Sequence, residues 1–304
     1  MSRRNSPHLG SLNDRIQFFN LHGKPPTTTT AQIELLKSRG MIIPNDEEAR
    51  KFIEDVGYYR LMGYCFPFKK NDHYQDNFSI HAAMGLYELD NQLRAWLFSL
   101  IERFEIKLKA QFANAMALRH GALAHLDKCL YAMTDNEFDE YIENYEDRIR
   151  TKYRSDLQFV VWNIDTYHEL PIWAAVDVMT FGTVSRLYSR LSDLADRKAV
   201  SDGFHVHDIY NNKIYKLKPD DLSKWAKVLN DIRNLCAHHE RLFMRTFTVS
   251  PKLYEPDNTV SRSTVFGILL ILGYLFRAMW PVEWKAFCDY AKNLERDYHF
   301  NLLK

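Results

Sequence analysis

Glycine and proline are both scarce, 11 and 10 among 304 residues. A chain so poor in turn formers does not suit an all-β domain and leaves room for long helices. Cysteine is scarcer still. Cys65, Cys129, Cys236 and Cys288 lie far apart with no C-x-x-C pair. That spacing builds neither a zinc site nor a disulfide framework, and it suits a reducing, cytoplasmic location. Net charge is nearly absent: 40 Lys+Arg stand against 39 Asp+Glu, for a formal +1. Binding of a polyanion through bulk charge is thereby excluded, and any RNA contact has to come from a local basic patch. Long apolar runs are missing too. The longest, residues 265–276, ends at Arg277 and falls well short of the ~20 residues a membrane-spanning helix needs; it reads as a buried helix. The opening MSRRNSPHLGSLNDR carries no apolar stretch of the kind a secretory leader requires, so no membrane association is expected.

What is present is a globular balance, 46% hydrophobic and 26% charged residues, with aromatics at 14%, enough to fill a helical core. Residues 1–23 are polar and aperiodic and read as a flexible terminus. A loop, KPPTTTT, supplies threonine caps for a short helix over 31–39, closed by Gly40. A second helix is expected over 46–56, ending at Gly57. It is followed by YYRLMGYCFPF, an aromatic cluster whose packing reading outweighs that of a surface for unpaired bases. Residues 24–78 therefore form a small helical N-terminal region, and 79–304 the main helical domain.

From residue 80 to 119, apolar side chains recur every three or four positions, from Leu86 through Phe104 to Phe112. This is one long amphipathic helix, and its Arg94, Glu102, Arg103, Glu105, Lys107 and Lys109 read as a solvated face. A charged helix over 134–155 follows, then a helix opened by Pro171 and broken at Phe181-Gly182-Thr183. A polar connection over 192–217 holds His205 and His207. With no companion ligands nearby, these two histidines give no metal site. Helices over 219–247 and 265–290 complete an all-α fold.

The most informative stretch is residues 222–245, LSKWAKVLNDIRNLCAHHERLFMR. At about 100° per residue, Trp225, Val228, Leu229, Ile232, Cys236 and Leu242 form an apolar seam. His239 falls inside that seam and reads as a packed core histidine. The opposite half holds Asn230, Arg233, Asn234, His238, Arg241 and Arg245, a local anion-binding strip in a neutral chain. Arginine offers phosphate a planar fork of donors, and histidine adds a proton that moves near neutrality. Together they suit cleavage of RNA by its own 2′-hydroxyl, with no metal or cofactor. One helix supplies one histidine, so a second copy across a two-fold axis would supply the acid, and a homodimer is expected.

Arg233-Asn234-Leu235-Cys236-Ala237-His238 fits the R-x4-6-H motif of HEPN domains, and with His239-Glu240-Arg241-Leu242 it resembles the signature of the Abi (AbiD/AbiF-like) abortive-infection family. Residues 31–40, the G-Y-Y-R-L-M-G-Y segment at 57–64, and the P-I-W…F-G-T-V-S-R-L-Y block between 171 and 188 are similar to that family's other segments. The resemblance implies a HEPN-type helical bundle and a bacterial antiphage ribonuclease, with Arg233 and His238 catalytic and Asn234 supporting. Arg241, Arg245 and Asn230 are the expected RNA contacts. The alternative is a non-cleaving RNA-binding module acting with a noncoding RNA or an antitoxin-like protein partner. Where the family often continues R-L-W-N-R, this chain has Phe243 and Met244.

Overall fold

The computed structural model describes residues 25–247, 251–255, 257–259, 261 and 263–298, the last five in backbone only. The expected polar terminus, 1–23, lies outside the described residues. The chain divides into two compact units, one up to Tyr87 and one from Glu88 onward.

In the first unit, α1 (Thr29–Ser38) starts on Thr28, whose hydroxyl accepts the Ala31 N–H, and ends before Gly40 at φ +85°. α2 (Asp46–Val56) starts on Asn45, whose side chain accepts the N–H groups of Glu47 and Glu48. Such caps satisfy the donors that a helix start leaves unpaired. Gly57 ends α2 and begins α3 (Tyr58–Cys65) with φ +92°, a left-handed turn that a side chain would strain. A two-stranded antiparallel ribbon, β1 (Lys69–Lys70) with β2 (His73–Tyr74), follows. Leu36, Ile53, Leu61, Cys65 and Phe78 centre this unit's core. The expected aromatic cluster is only partly inside it. Tyr64 is buried and Phe68 stacks on Phe78 at 4.6 Å, but Tyr59 and Phe66 are 92% and 75% exposed.

α4 (Ile80–His120) is one unbroken helix of 41 residues, about 60 Å long at 1.5 Å per residue. The boundary between the units falls within it. In the second unit its buried line runs through Leu97, Ile101, Phe104, Leu108, Phe112 and Met116, the three-and-four spacing of a core-facing helix. Arg94 departs from the solvated face assigned to it, being buried in an ion pair with Asp90.

α5 (Asp135–Arg154) opens with a capping box between Thr134 and Glu137. α6 (Gln158–Tyr167) and α7 (Ile172–Val178) follow, and α8 (Phe181–Arg190) begins on Thr180. The break thus falls just before Phe181-Gly182-Thr183, and those residues form the first turn of α8. The stretch read as a polar connection is ordered: it holds α9 (Leu194–Ser201) and a hairpin of β3 (His205–Asp208) with β4 (Lys213–Lys216). α10 (Pro219–Ala237) packs against α8, and α11 (Val265–Met279) packs against β3. α12 (Pro281–Tyr298) is the last described element. The apolar run at 265–276 is indeed a buried helix. Among the described residues the two ribbons are the only sheets, so the fold is predominantly α-helical. No described helix is long and apolar enough to cross a membrane.

Candidate functional site

α10 carries the Arg233–His238 segment in its last turn and a half. Its apolar seam is as the wheel places it: Trp225, Val228, Leu229, Ile232 and Cys236 are all buried. Trp225 Nε1 donates to the Lys252 carbonyl at 3.0 Å, and its ring stacks near Tyr274 at 6.0 Å. This anchoring fixes the rotation of the helix, and with it the direction of the polar side.

Arg233 is half-buried and held on three sides. Nη1 donates to Asn234 Oδ1 and Nη2 to Glu105 Oε2, each at 3.1 Å. The guanidinium also lies 6.0 Å from the Phe181 ring centre, within range of a cation–π contact. Glu105 is itself largely buried and pairs with Lys109 at 3.0 Å, one turn along α4. One carboxylate therefore sits between two cations, so the group carries one net positive charge. The charge pattern of the sequence puts Glu105 and Lys109 on a solvated face. Their four-residue spacing shows that they can pair with each other, but nothing local shows that Glu105 turns toward α10.

The helix does not continue to residue 247. It ends at Ala237, with His238 as C-cap. His239 adopts φ +55°; its N–H donates to the Cys236 carbonyl at 3.1 Å, and the Glu240 N–H to the Leu235 carbonyl at 2.9 Å. This pair of bonds is the Schellman closure, which usually places glycine where His239 stands. The physical cause of the stop lies across the fold. Buried Asp90 accepts the backbone N–H groups of Leu242 (3.2 Å) and Phe243 (2.8 Å), and a continuous helix would spend those donors on its own carbonyls.

Three expectations change with that ending. His239 is exposed and does not belong to the core seam. Arg241 and Arg245 lie in the following loop, so the helical wheel does not apply to them. Arg245 pairs with Glu240 at 2.5 Å and, with Asn234 and Asp231, lines a cleft of about 270 Å³. Burial raises the Asp231 carboxyl above its ordinary range, against the pull of Lys227 and Asn230. Asn230 is half-buried and lies against Gly182, where a Cβ would meet its amide at 3.4 Å, so it belongs to the α8–α10 crossing. His238 is exposed at the helix end. The structure thus brings Arg233, Asn234, Glu105 and Lys109 together and sets His238 on the surface at the end of the same helix. Arg245 joins Asn234 on a neighbouring cleft. Among the described residues no group of three His, Cys, Asp or Glu side chains is placed to hold a metal.

Searches among curated proteins and among solved structures gave no match. A family model described as "Abi-like protein" matches residues 51–244, a span that opens in α2 and closes just beyond the Arg233–His238 helix. With that match over more than half its length, this chain belongs to the Abi-like protein family.

Proposed function

We propose that the protein is an abortive-infection effector that cuts RNA without a metal, using Arg233 and His238. The observation that carries this reading is the end of α10: a guanidinium oriented by Asn234 and Glu105, five residues ahead of an exposed imidazole at the helix terminus. In this reaction His238 takes the proton of a 2′-hydroxyl, whose oxygen attacks the adjacent phosphorus. The bond from phosphorus to the 5′-oxygen breaks, and that oxygen receives a proton from the His238 of a second copy. The products are a 2′,3′-cyclic phosphate and a 5′-hydroxyl. Arg233 steadies the charge that grows on the phosphate oxygens, and Asn234 fixes the fork.

The test is incubation of purified protein with a cellular RNA pool in excess chelator, with end-group analysis of the products. Cyclic phosphate ends are expected, and His238→Ala should slow cutting about 10²- to 10⁴-fold, the usual contribution of a general base. Undiminished cutting by both Arg233→Ala and His238→Ala would end the proposal.

A second reading rests on Glu105. Because this carboxylate already occupies the fork of Arg233, the arginine also suits a purely structural part in an RNA-binding module that acts with a noncoding RNA or a protein partner. A discrete copurifying RNA, no cleavage of any pool, and phage defence retained in His238→Ala would favour it.

A further inference from the structure

The cleft beside the end of α10 holds polar groups that the proposed reaction leaves unused. Its walls are apolar, formed by Val228, Ile232, Leu235 and Phe247, and among them stand Asp231, Asn234 and Arg245. Its volume, about 270 Å³, lies just under the ~300 Å³ at which pockets for whole small molecules begin. That is room for a single ring system between apolar walls.

The cleft lies next to the groups that would act on a phosphodiester. Asp231, Asn234 and the C-cap His238 stand at i, i+3 and i+7, so they share one side of α10. His238 follows Asn234 by one turn, about 6 Å along the axis. Asn234 belongs to both places. Its Oδ1 accepts from Arg233 Nη1, while its Nδ2 has no acceptor among the described residues. The amide that orients the guanidinium therefore keeps two N–H donors in hand, and its residue borders the cleft.

The polar set is mixed, and the mixture selects the occupant. A phosphate would find one guanidinium, already held by Glu240 at 2.5 Å, and a carboxyl on the same cleft. An aliphatic chain would leave that carboxyl and the Asn234 amide unmatched. Asp231 makes no ion pair among the described residues, and burial raises its pKa against the pull of Lys227 and Asn230. A desolvated carboxyl short of donors gains from an incoming N–H. An acceptor and a donor one turn apart complement an amino group beside a ring nitrogen, the pattern that adenine and cytosine carry. Uracil has no amino group.

We propose that this cleft is a base-recognition site, in which Asp231 accepts from the amino group of an unpaired adenine or cytosine and Asn234 donates to the neighbouring ring nitrogen, beside the phosphodiester on which Arg233 and His238 act. The inference rests on the RNA reading above and adds to it a preference for the base at the cut. The edge being read is free only where the base is unpaired and unstacked, so single strands are the ligand. Asp231 is a specificity-determining residue in this scheme and takes no part in the proton transfers.

The experiment measures binding of fluorescein-labelled oligoadenylate, oligocytidylate and oligouridylate to full-length His238→Ala protein at one fixed salt concentration. Oligoadenylate and oligocytidylate should bind about 5- to 150-fold more tightly than oligouridylate, the usual worth of one two-bond base contact. The ratio is the readout, because loss of a carboxylate strengthens binding of every RNA alike. Adding Asp231→Ala should bring the ratio close to one. Asp231→Asn, whose amide oxygen still accepts, should keep most of it. Thr246→Trp fills the cleft from its exposed rim and should abolish the ratio with Asp231 intact. It also keeps the test open if Asp231→Ala lowers the melting temperature. If the three RNAs bind equally, if oligouridylate binds best, or if the ratio survives in both Asp231→Ala and Thr246→Trp, the base site is refuted and the RNA reading stands. If no RNA binds at all, the RNA reading fails and takes the base site with it.

Discussion

Acidification should destabilise the larger unit through His125. This side chain is fully buried, and burial lowers its pKa from the ordinary 6.5 to about 4. The hydrogen bonds show why. Tyr145 donates its hydroxyl proton to Glu169 Oε1 at 3.2 Å, so His125 Nε2, 3.0 Å from the same oxygen, must carry the proton that points at it. Nδ1 is then a bare nitrogen, buried with no hydrogen-bond partner, and protonating it would place a new N–H where nothing accepts it. Because the folded pKa lies below the unfolded one, the unfolded chain takes up the proton first as pH falls. Stability is complete above about pH 6.5 and is lost progressively down to about pH 4, where the loss from this one group reaches about 3 kcal/mol at ~1.4 kcal/mol per tenfold. Urea denaturation at a series of pH values, on wild type and on His125→Phe, measures this directly. The phenylalanine chain should start less stable at pH 7 and lose about 3 kcal/mol less on acidification. Parallel curves for the two chains between pH 6.5 and 4 would refute the reasoning.

Glu105→Gln removes the charge that holds Arg233 while keeping its shape. Cutting should slow about 10- to 100-fold with little change in affinity for oligouridylate, as read by single-turnover kinetics beside anisotropy. Asp90→Ala strands the N–H groups of Leu242 and Phe243 and breaks the buried pair with Arg94. Loss of about 3–5 kcal/mol is expected in urea denaturation. Gly57→Ala forces a side chain into φ +92° and should lower stability by about 1–2 kcal/mol, seen as a fall in melting temperature. Phe112→Ala empties a fully buried site and should cost about 3–5 kcal/mol.

Elements set by local pattern were legible in the sequence. The period of α4, the threonine start of α1, the extent of α2, the glycine stops at Gly40 and Gly57, and the seam of α10 all follow from side-chain spacing and backbone preference. Features set by distant partners were not. Ala237-His238-His239-Glu240 contains no glycine or proline, so nothing local ends α10; the acceptor for the next N–H groups is Asp90, about 150 positions earlier. Arg94 and Glu105 sit among charges that look solvated, and only the packed fold shows their inward partners. The hairpin did leave a faint signal in Asn211-Asn212, since Asn212 takes φ +48° as asparagine tolerates, but the polar composition around it masked the strands. For the candidate site, the spacing at residues 222–245 extends the helical strip to Arg241 and Arg245, which the fold places in a loop beyond the C-cap His238.

Asp90 also changes how losses at His238 should be understood. The histidine occupies the last backbone position of a rod whose continuation hangs from one buried carboxylate, so damage to that hook moves the imidazole without touching it. A spontaneous mutant at residue 90 or 94 would mimic a defect in the proposed chemistry while Arg233 and His238 are both still encoded. Among relatives of this chain, those two positions and the Arg233–His238 pair should be inherited as a block and abandoned together.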